Sequence, residues 1–213
     1  MDTVTTDNGN AAAPVVDARY CAPHATAFKV TDTFSNGFSV TDADGAQAMR
    51  AEKAVLSWFR RHLLVDVSAA PRRPVLTVQR WPTVFEIYRT WEVYTGDSTR
   101  RTDLLFIAVA QPSIFGVGDV HVHLAGHGGR DPADFVVRSG GFFSSDYTVS
   151  RSRDGTVVAQ IQRTGGLLDL LINSLQYRVS INAGVDQAFV LALTVILAEI
   201  RHDDRDNDND VCR

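Results

Sequence analysis

The sequence predicts a mainly β protein in which a closed sheet surrounds one helix. Three observations carry this reading. Short alternating runs of apolar and polar residues recur along the chain, turn residues separate them, and the segment 184–200, GVDQAFVLALTVILAEI, is apolar on every side.

Taken in order, residues 38–49, FSVTDADGAQAM, show two runs around Asp44-Gly45, the strongest short-range signal for a hairpin turn. LLVDVSAAPRRPVLTVQR at 63–80 repeats the strand, turn, strand form with Pro71 and Pro74 in the bend, and YTVSRSRDGTVVAQIQR at 147–163 repeats it around Asp154-Gly155. Each second strand ends on or near an arginine: Arg50, Arg80 and Arg163. Further strands are expected at 84–94, 104–110, 119–124, 134–138 and 177–181. The count approaches a dozen. Strands this short, separated by turn residues, indicate a sandwich or a closed barrel rather than a parallel sheet with crossover helices.

A helix over 185–200 is roughly 24 Å long at ~1.5 Å per residue, against ~30 Å for the hydrocarbon core of a bilayer. It is too short to span. An all-round apolar helix needs protein on all sides, and in a β protein the inside of a barrel meets that demand. Gly184 supplies a flexible start, and Asp186 places an anion at the positive end of the helix dipole.

At 213 residues with 45% apolar and 22% charged residues, the chain has enough apolar content for one full core. The net charge of -4 is unevenly spread: residues 1–18 carry three Asp and no base, and residues 203–213 carry five Asp against two Arg. Both ends read as disordered acidic tails around a mildly basic body at 19–202. That body lacks the dense positive charge of a nucleic-acid footprint. Cys21 and Cys212 stand near opposite ends, and the N-terminus has neither the basic region nor the apolar core of a signal peptide. A reducing, cytoplasmic setting is expected, with a membrane-peripheral or nuclear location as further possibilities. A monomer with no cofactor and no transmembrane segment is expected.

The candidate contact residues are three arginine pairs near proposed loops: Arg60 and Arg61, Arg72 and Arg73, Arg100 and Arg101. Their plain reading is solvated loop charge, and their functional reading is a patch for anionic lipid headgroups or for a protein partner. His121, His123 and His127 invite a metal site and an alternative metal-dependent or enzymatic reading. Against it, Val120, Val122 and Leu124 take the inward positions, so His121 and His123 face outward, with no acidic or Cys ligand close in sequence. DDRDNDND at 203–210 resembles the start of an EF-hand loop but lacks the Gly at its sixth position and the closing Glu. A nucleophile elbow, a phosphate-cradling loop and a kinase-type motif are absent from the sequence. LLDLLINSL at 167–175 has six Leu or Ile among nine residues, which suits a short helix packed on the barrel or an exposed contact patch.

YCAP at 20–23, LTVQR at 76–80, WEVYTGD at 91–97, VVAQIQR at 157–163 and the helix at 184–200, in this order, resemble the plant LURP-one-related family, a branch of the Tubby C-terminal-like superfamily. The resemblance implies a closed twelve-stranded antiparallel β-barrel around a central hydrophobic C-terminal α-helix. It also implies a non-enzymatic regulatory or binding module, tethered to membranes through phosphoinositides as in Tubby proteins and tied to plant defence. Kinship with phospholipid scramblases adds the alternative of a membrane-inserted helix. The family carries no catalytic residues to transfer. Where it usually has Pro before the Gly that opens the helix and Asp near the helix end, this chain has Ala183 and Ala198.

Overall fold

Along β12 (Gln176–Ile181), Tyr177, Val179 and Ile181 are buried, whereas Arg178 and Ser180 between them are exposed. A period of two sends alternate side chains to opposite faces, so one face is set against a core and the other meets solvent. β7 (Leu104–Ala110) does the same with Phe106, Ala108 and Ala110, and β8 (Val120–Leu124) with Val120 and Val122.

The computed structural model describes residues 13–33, 37–54, 60–68, 70–81, 89–113, 118–127, 132–140, 146–164 and 175–211, without the side chains of 33, 127 and 205–211. The remaining strands are β1 (Thr26–Thr33), β2 (Gly37–Thr41), β3 (Gln47–Lys53), β4 (Arg61–Asp66), β5 (Arg73–Arg80), β6 (Arg89–Thr95), β9 (Phe135–Ser139), β10 (Asp146–Arg151) and β11 (Val157–Arg163). Among the described residues, twelve strands pair antiparallel with their neighbours in sequence, and β1 meets β12 from Thr26↔Ile181 to Thr31↔Gln176 to close the barrel. Closure removes the open edges that would otherwise pair with other chains. The turn glycines Gly45 and Gly155 sit at φ +82° and +70°, a left-handed conformation that side chains with a Cβ rarely adopt.

Helix α1 (Gln187–Val211) starts where β12 ends and runs back through the barrel. Every residue from Ala188 to Ile200 is buried, which answers why the segment is apolar all round. Phe189 packs edge-on against Phe106 at 5.2 Å between ring centroids and, tilted, against Phe135 at 4.9 Å. Each enclosed Leu, Ile or Phe stabilises the fold by about 1.5–3 kcal/mol relative to exposure. The interposed Thr194 gives its hydroxyl proton to the Val190 carbonyl at 3.0 Å, so its polar group is satisfied within the helix.

At the helix start, Asp186 Oδ1 accepts from the Phe189 amide at 3.2 Å, the bond of an N-cap, and Oδ2 accepts from the amides of Val16 and Asp17 at 2.7 and 3.1 Å. We call this the cap end of the barrel. The opposite end, where α1 emerges, is the clamp end.

Three expectations change. β1 is missing from the strands read off the sequence because its inward series Phe28, Val30, Asp32 breaks on a carboxylate, which is wholly buried beside His202. The helix extends beyond 200, and the segment 203–213, read as a disordered tail, begins inside it. Asp203 and Asp204 there are ion-paired to barrel arginines, which offsets the charge that argued against folding. The N-terminal tail, expected over 1–18, likewise enters the structure by Val16, while residues 1–12 lie outside the described residues. Most of 167–175 also lies outside them, and Leu175 is buried in the core.

Candidate functional site

Arginines meet the two ends of the barrel differently. At the cap end, the β4–β5 and β6–β7 connections lie side by side because β5 and β6 pair there, Leu76 against Thr95. The Gly96 amide donates to the Val75 carbonyl at 3.0 Å, and the Thr77 hydroxyl donates to the Gly96 carbonyl at 2.8 Å, which ties the second connection to the sheet. Arg72 on the first, Arg73 at the start of β5 beside it, and Arg100 and Arg101 on the second are all exposed. Arg101 makes an ion pair at 3.2 Å with Glu92, a buried carboxylate on the outer face that also accepts the Tyr94 hydroxyl. Burial, and then the bond to Glu92, push that hydroxyl's pKa up to about 12. Asp66 faces Arg73 in the ladder but is engaged by the Tyr20 hydroxyl at 3.2 Å and by Ser68 at 2.9 and 2.6 Å. Among the described residues, Arg72, Arg73 and Arg100 have no ion-pair partner.

Arg60 and Arg61 do not join this group. Arg61 lies on the outer face and donates to the Asp97 carbonyl of the β6–β7 connection. Arg60 sits at the clamp end, 3.6 Å from Glu199 and in an ion pair with Asp203.

The clamp end is a network that holds the helix. Arg80 reaches Asp203 Oδ2 at 2.7 Å, with its guanidinium 5.9 Å from the centre of the Trp91 ring. Arg89 reaches Asp204 at 2.6 Å and the Ile200 carbonyl at 3.2 Å. Arg201 donates to the Tyr147 hydroxyl at 2.9 Å. Deeper in, His62 Nε2 lies 3.0 Å from Glu199 Oε1, and His202 bonds Asp32. Burial works against ionisation of Glu199, yet the His62 bond and charge, with Lys53 and Arg60 nearby, hold its pKa at about 2. Of the clamp residues the sequence singled out Arg60 in an arginine pair, Arg80 as a strand-ending arginine, and Asp203 and Asp204 within the acidic run at 203–210. Arg89, His62, His202 and Asp32 carry no local pattern, because their partners lie more than a hundred residues away.

His121 and His123 share the outer face of β8, opposite Val109 and Ile107. Among the described residues, no group of three His, Cys, Asp or Glu side chains converges on one point. The His127 side chain lies outside them. Cys21 is a free, half-buried thiol bridged through its backbone to Asp186, and Cys212 lies outside the described residues. Among the described residues, no helix is long and apolar enough to cross a membrane.

The sequence pattern of LURP-one-related proteins matches residues 26–198. Protein LURP-one-related 15 of Arabidopsis thaliana is 26% identical over 195 residues, covering 90% of this chain and 87% of that protein. Protein LURP-one-related 10 of the same plant is 26% identical over 204 residues, covering 91% and 99%, and Protein LURP1 is 26% identical over 190 residues, covering 87% and 89%. The X-ray structure of a protein from Arabidopsis thaliana is similar with a TM-score of 0.65 at 25% identity, covering 87% of this chain and 97% of that one. The matched span runs from the first residue of β1 to Ala198 within α1, so the chain belongs to the LURP-one-related family.

Proposed function

We propose that this chain is a non-enzymatic regulatory module that docks the cap end of its barrel onto an anionic phospholipid surface. The LURP-one-related family is not a known enzyme family, which agrees with the non-enzymatic part of this reading. The observation that carries the docking is the placement of Arg72, Arg73 and Arg100 on or beside two adjoining connections, exposed and without ion-pair partners among the described residues. Arginine guanidinium groups suit bidentate contacts to phosphate oxygens, and each basic residue at an anionic surface contributes about 1 kcal/mol. A cytoplasmic, membrane-peripheral location accompanies this reading, and a part in plant defence rests on family resemblance alone.

Co-sedimentation with vesicles containing phosphatidylserine or phosphoinositides, at low and physiological salt, tests it. The wild type is expected to bind, and Arg72→Ala/Arg73→Ala/Arg100→Ala to bind roughly a hundredfold more weakly, from about 1 kcal/mol per arginine. No binding at low salt, or equal binding by the triple variant, would overturn the docking and leave a protein partner as the object of the module.

A further inference from the structure

The seam of the barrel carries an arrangement that the fold alone does not call for. Lys29 on β1 stands directly opposite Arg178 on β12, and both side chains are exposed on the outer face. Facing residues of an antiparallel pair have Cα atoms ~4.5–5.5 Å apart, where like charges are destabilising. The same lateral row continues to Gln162 beyond Arg178 and to Thr41 beyond Lys29, so no carboxylate flanks the pair in register. Among the described residues, neither cation has an ion-pair partner.

An open groove of about 610 Å³ lies along these residues, lined also by Thr41, Thr164, Gln176 and Asp42. That volume falls within the range of small-molecule sites. Asp42 uses Oδ1 to accept the amides of Asp44 and Ala46 at 3.0 and 2.8 Å, which fixes the β2–β3 turn as one wall of the groove. Against this one carboxylate stand the two cations, two threonine hydroxyls and a glutamine amide.

We propose that this groove binds a phosphorylated anion between Lys29 and Arg178. Arg178 offers a planar fork of donors for two oxygens, Lys29 a compact charge for a third, and the hydroxyls and amide serve the remaining acceptors. A lone carboxylate has two oxygens and is satisfied by the arginine; a phosphoryl group uses both cations. The bound anion also cancels the repulsion that the register imposes on the seam. This site is separate from the cap-end arginines and does not depend on their role. Its phosphoryl group can belong to a soluble ester or to a lipid headgroup.

Thermal melting of the full chain with inorganic pyrophosphate, against sodium chloride at equal ionic strength, tests the site. Pyrophosphate is expected to raise the Tm of the wild type where chloride does not, because a ligand that binds only the folded state stabilises it. Lys29→Gln/Arg178→Gln should bind pyrophosphate at least about tenfold more weakly while melting, without ligand, at or above the wild-type temperature. Arg72→Ala/Arg73→Ala/Arg100→Ala should keep the pyrophosphate shift, which separates this site from the docking surface. Loss of phosphoinositide-vesicle binding in the seam variant would assign the phosphoryl group to a lipid; retained vesicle binding with lost pyrophosphate binding would assign it to a soluble ester. No pyrophosphate-specific shift in the wild type, or an equal shift in the seam variant, overturns the proposal.

Discussion

At the clamp end, Arg60, Arg80 and Arg89 close on Asp203 and Asp204 of the helix; at the cap end, Arg72, Arg73 and Arg100 extend into solvent with no such partner among the described residues. Sequence neighbourhood does not separate the two groups, since all six stand in or beside connections between strands. What separates them is whether a carboxylate arrives from elsewhere in the fold. The helix brings its acids to the clamp end because it is threaded in one direction only, from the Asp186 cap toward the far mouth. The comparison teaches that an arginine near a loop is read only through its three-dimensional surroundings. Arginines that fasten structure cost stability when lost, and arginines left open can serve recognition at almost no cost.

The largest effect should come from the helix that joins the two ends. Leu193→Asp puts an unpaired charge in the barrel, where Leu193 is 1% exposed, and is expected to cost more than about 4 kcal/mol. A chemical melt followed by circular dichroism measures this, and a variant as stable as wild type would show that the helix is not enclosed.

Acid should loosen the clamp end next. The folded pKa of Glu199, about 2, lies below its ordinary 4.5, so its contribution is complete above pH 4.5 and is lost as pH falls toward 2. The loss amounts to about 3 kcal/mol as an upper bound, and Glu199→Gln should flatten this limb of the stability profile. An unchanged acid limb in that variant would remove Glu199 from the clamp.

Asp203→Ala takes away the carboxylate that Arg60 and Arg80 share. Breaking a fully buried pair costs 3–5 kcal/mol on general experience, but the Arg60 side chain is 41% exposed, so about 2 kcal/mol is expected. Double-mutant cycles with Arg80→Ala should show coupling, and strict additivity would mean that the ion pair does not fasten the helix.

The smallest effect belongs to the cap end. Arg72→Ala, Arg73→Ala and Arg100→Ala should each leave stability within about 0.5 kcal/mol of wild type, because among the described residues their side chains make no hydrogen bond or ion pair. A loss comparable to that of Asp203→Ala would erase the contrast between the two ends.

Most strands and the central helix were legible because each advertises itself within a few residues: Asp44-Gly45 and Asp154-Gly155 mark turns, and Tyr177, Val179 and Ile181 alternate with polar neighbours. β1 was illegible for the opposite reason. Its buried Asp32 looks like a surface residue until His202, 170 positions away, is brought beside it. The arginine pairs were visible as candidates, but their division into clamped and open residues was not. Arg60 and Arg61 read in sequence much as Arg72 and Arg73 do.

The sequence by itself determined the alternation, the turns and an all-round apolar helix, and with them a barrel closed around that helix, since local propensity and hydrophobic period are properties of short windows. Only the tertiary structure decided which charges are satisfied. The extension of α1 past residue 200, the grip of Arg80 and Arg89 on Asp203 and Asp204, and the opposition of Lys29 to Arg178 across the seam all arise where distant segments meet. Electrostatic interactions depend on distance and burial in space, and those quantities are fixed only when the barrel closes.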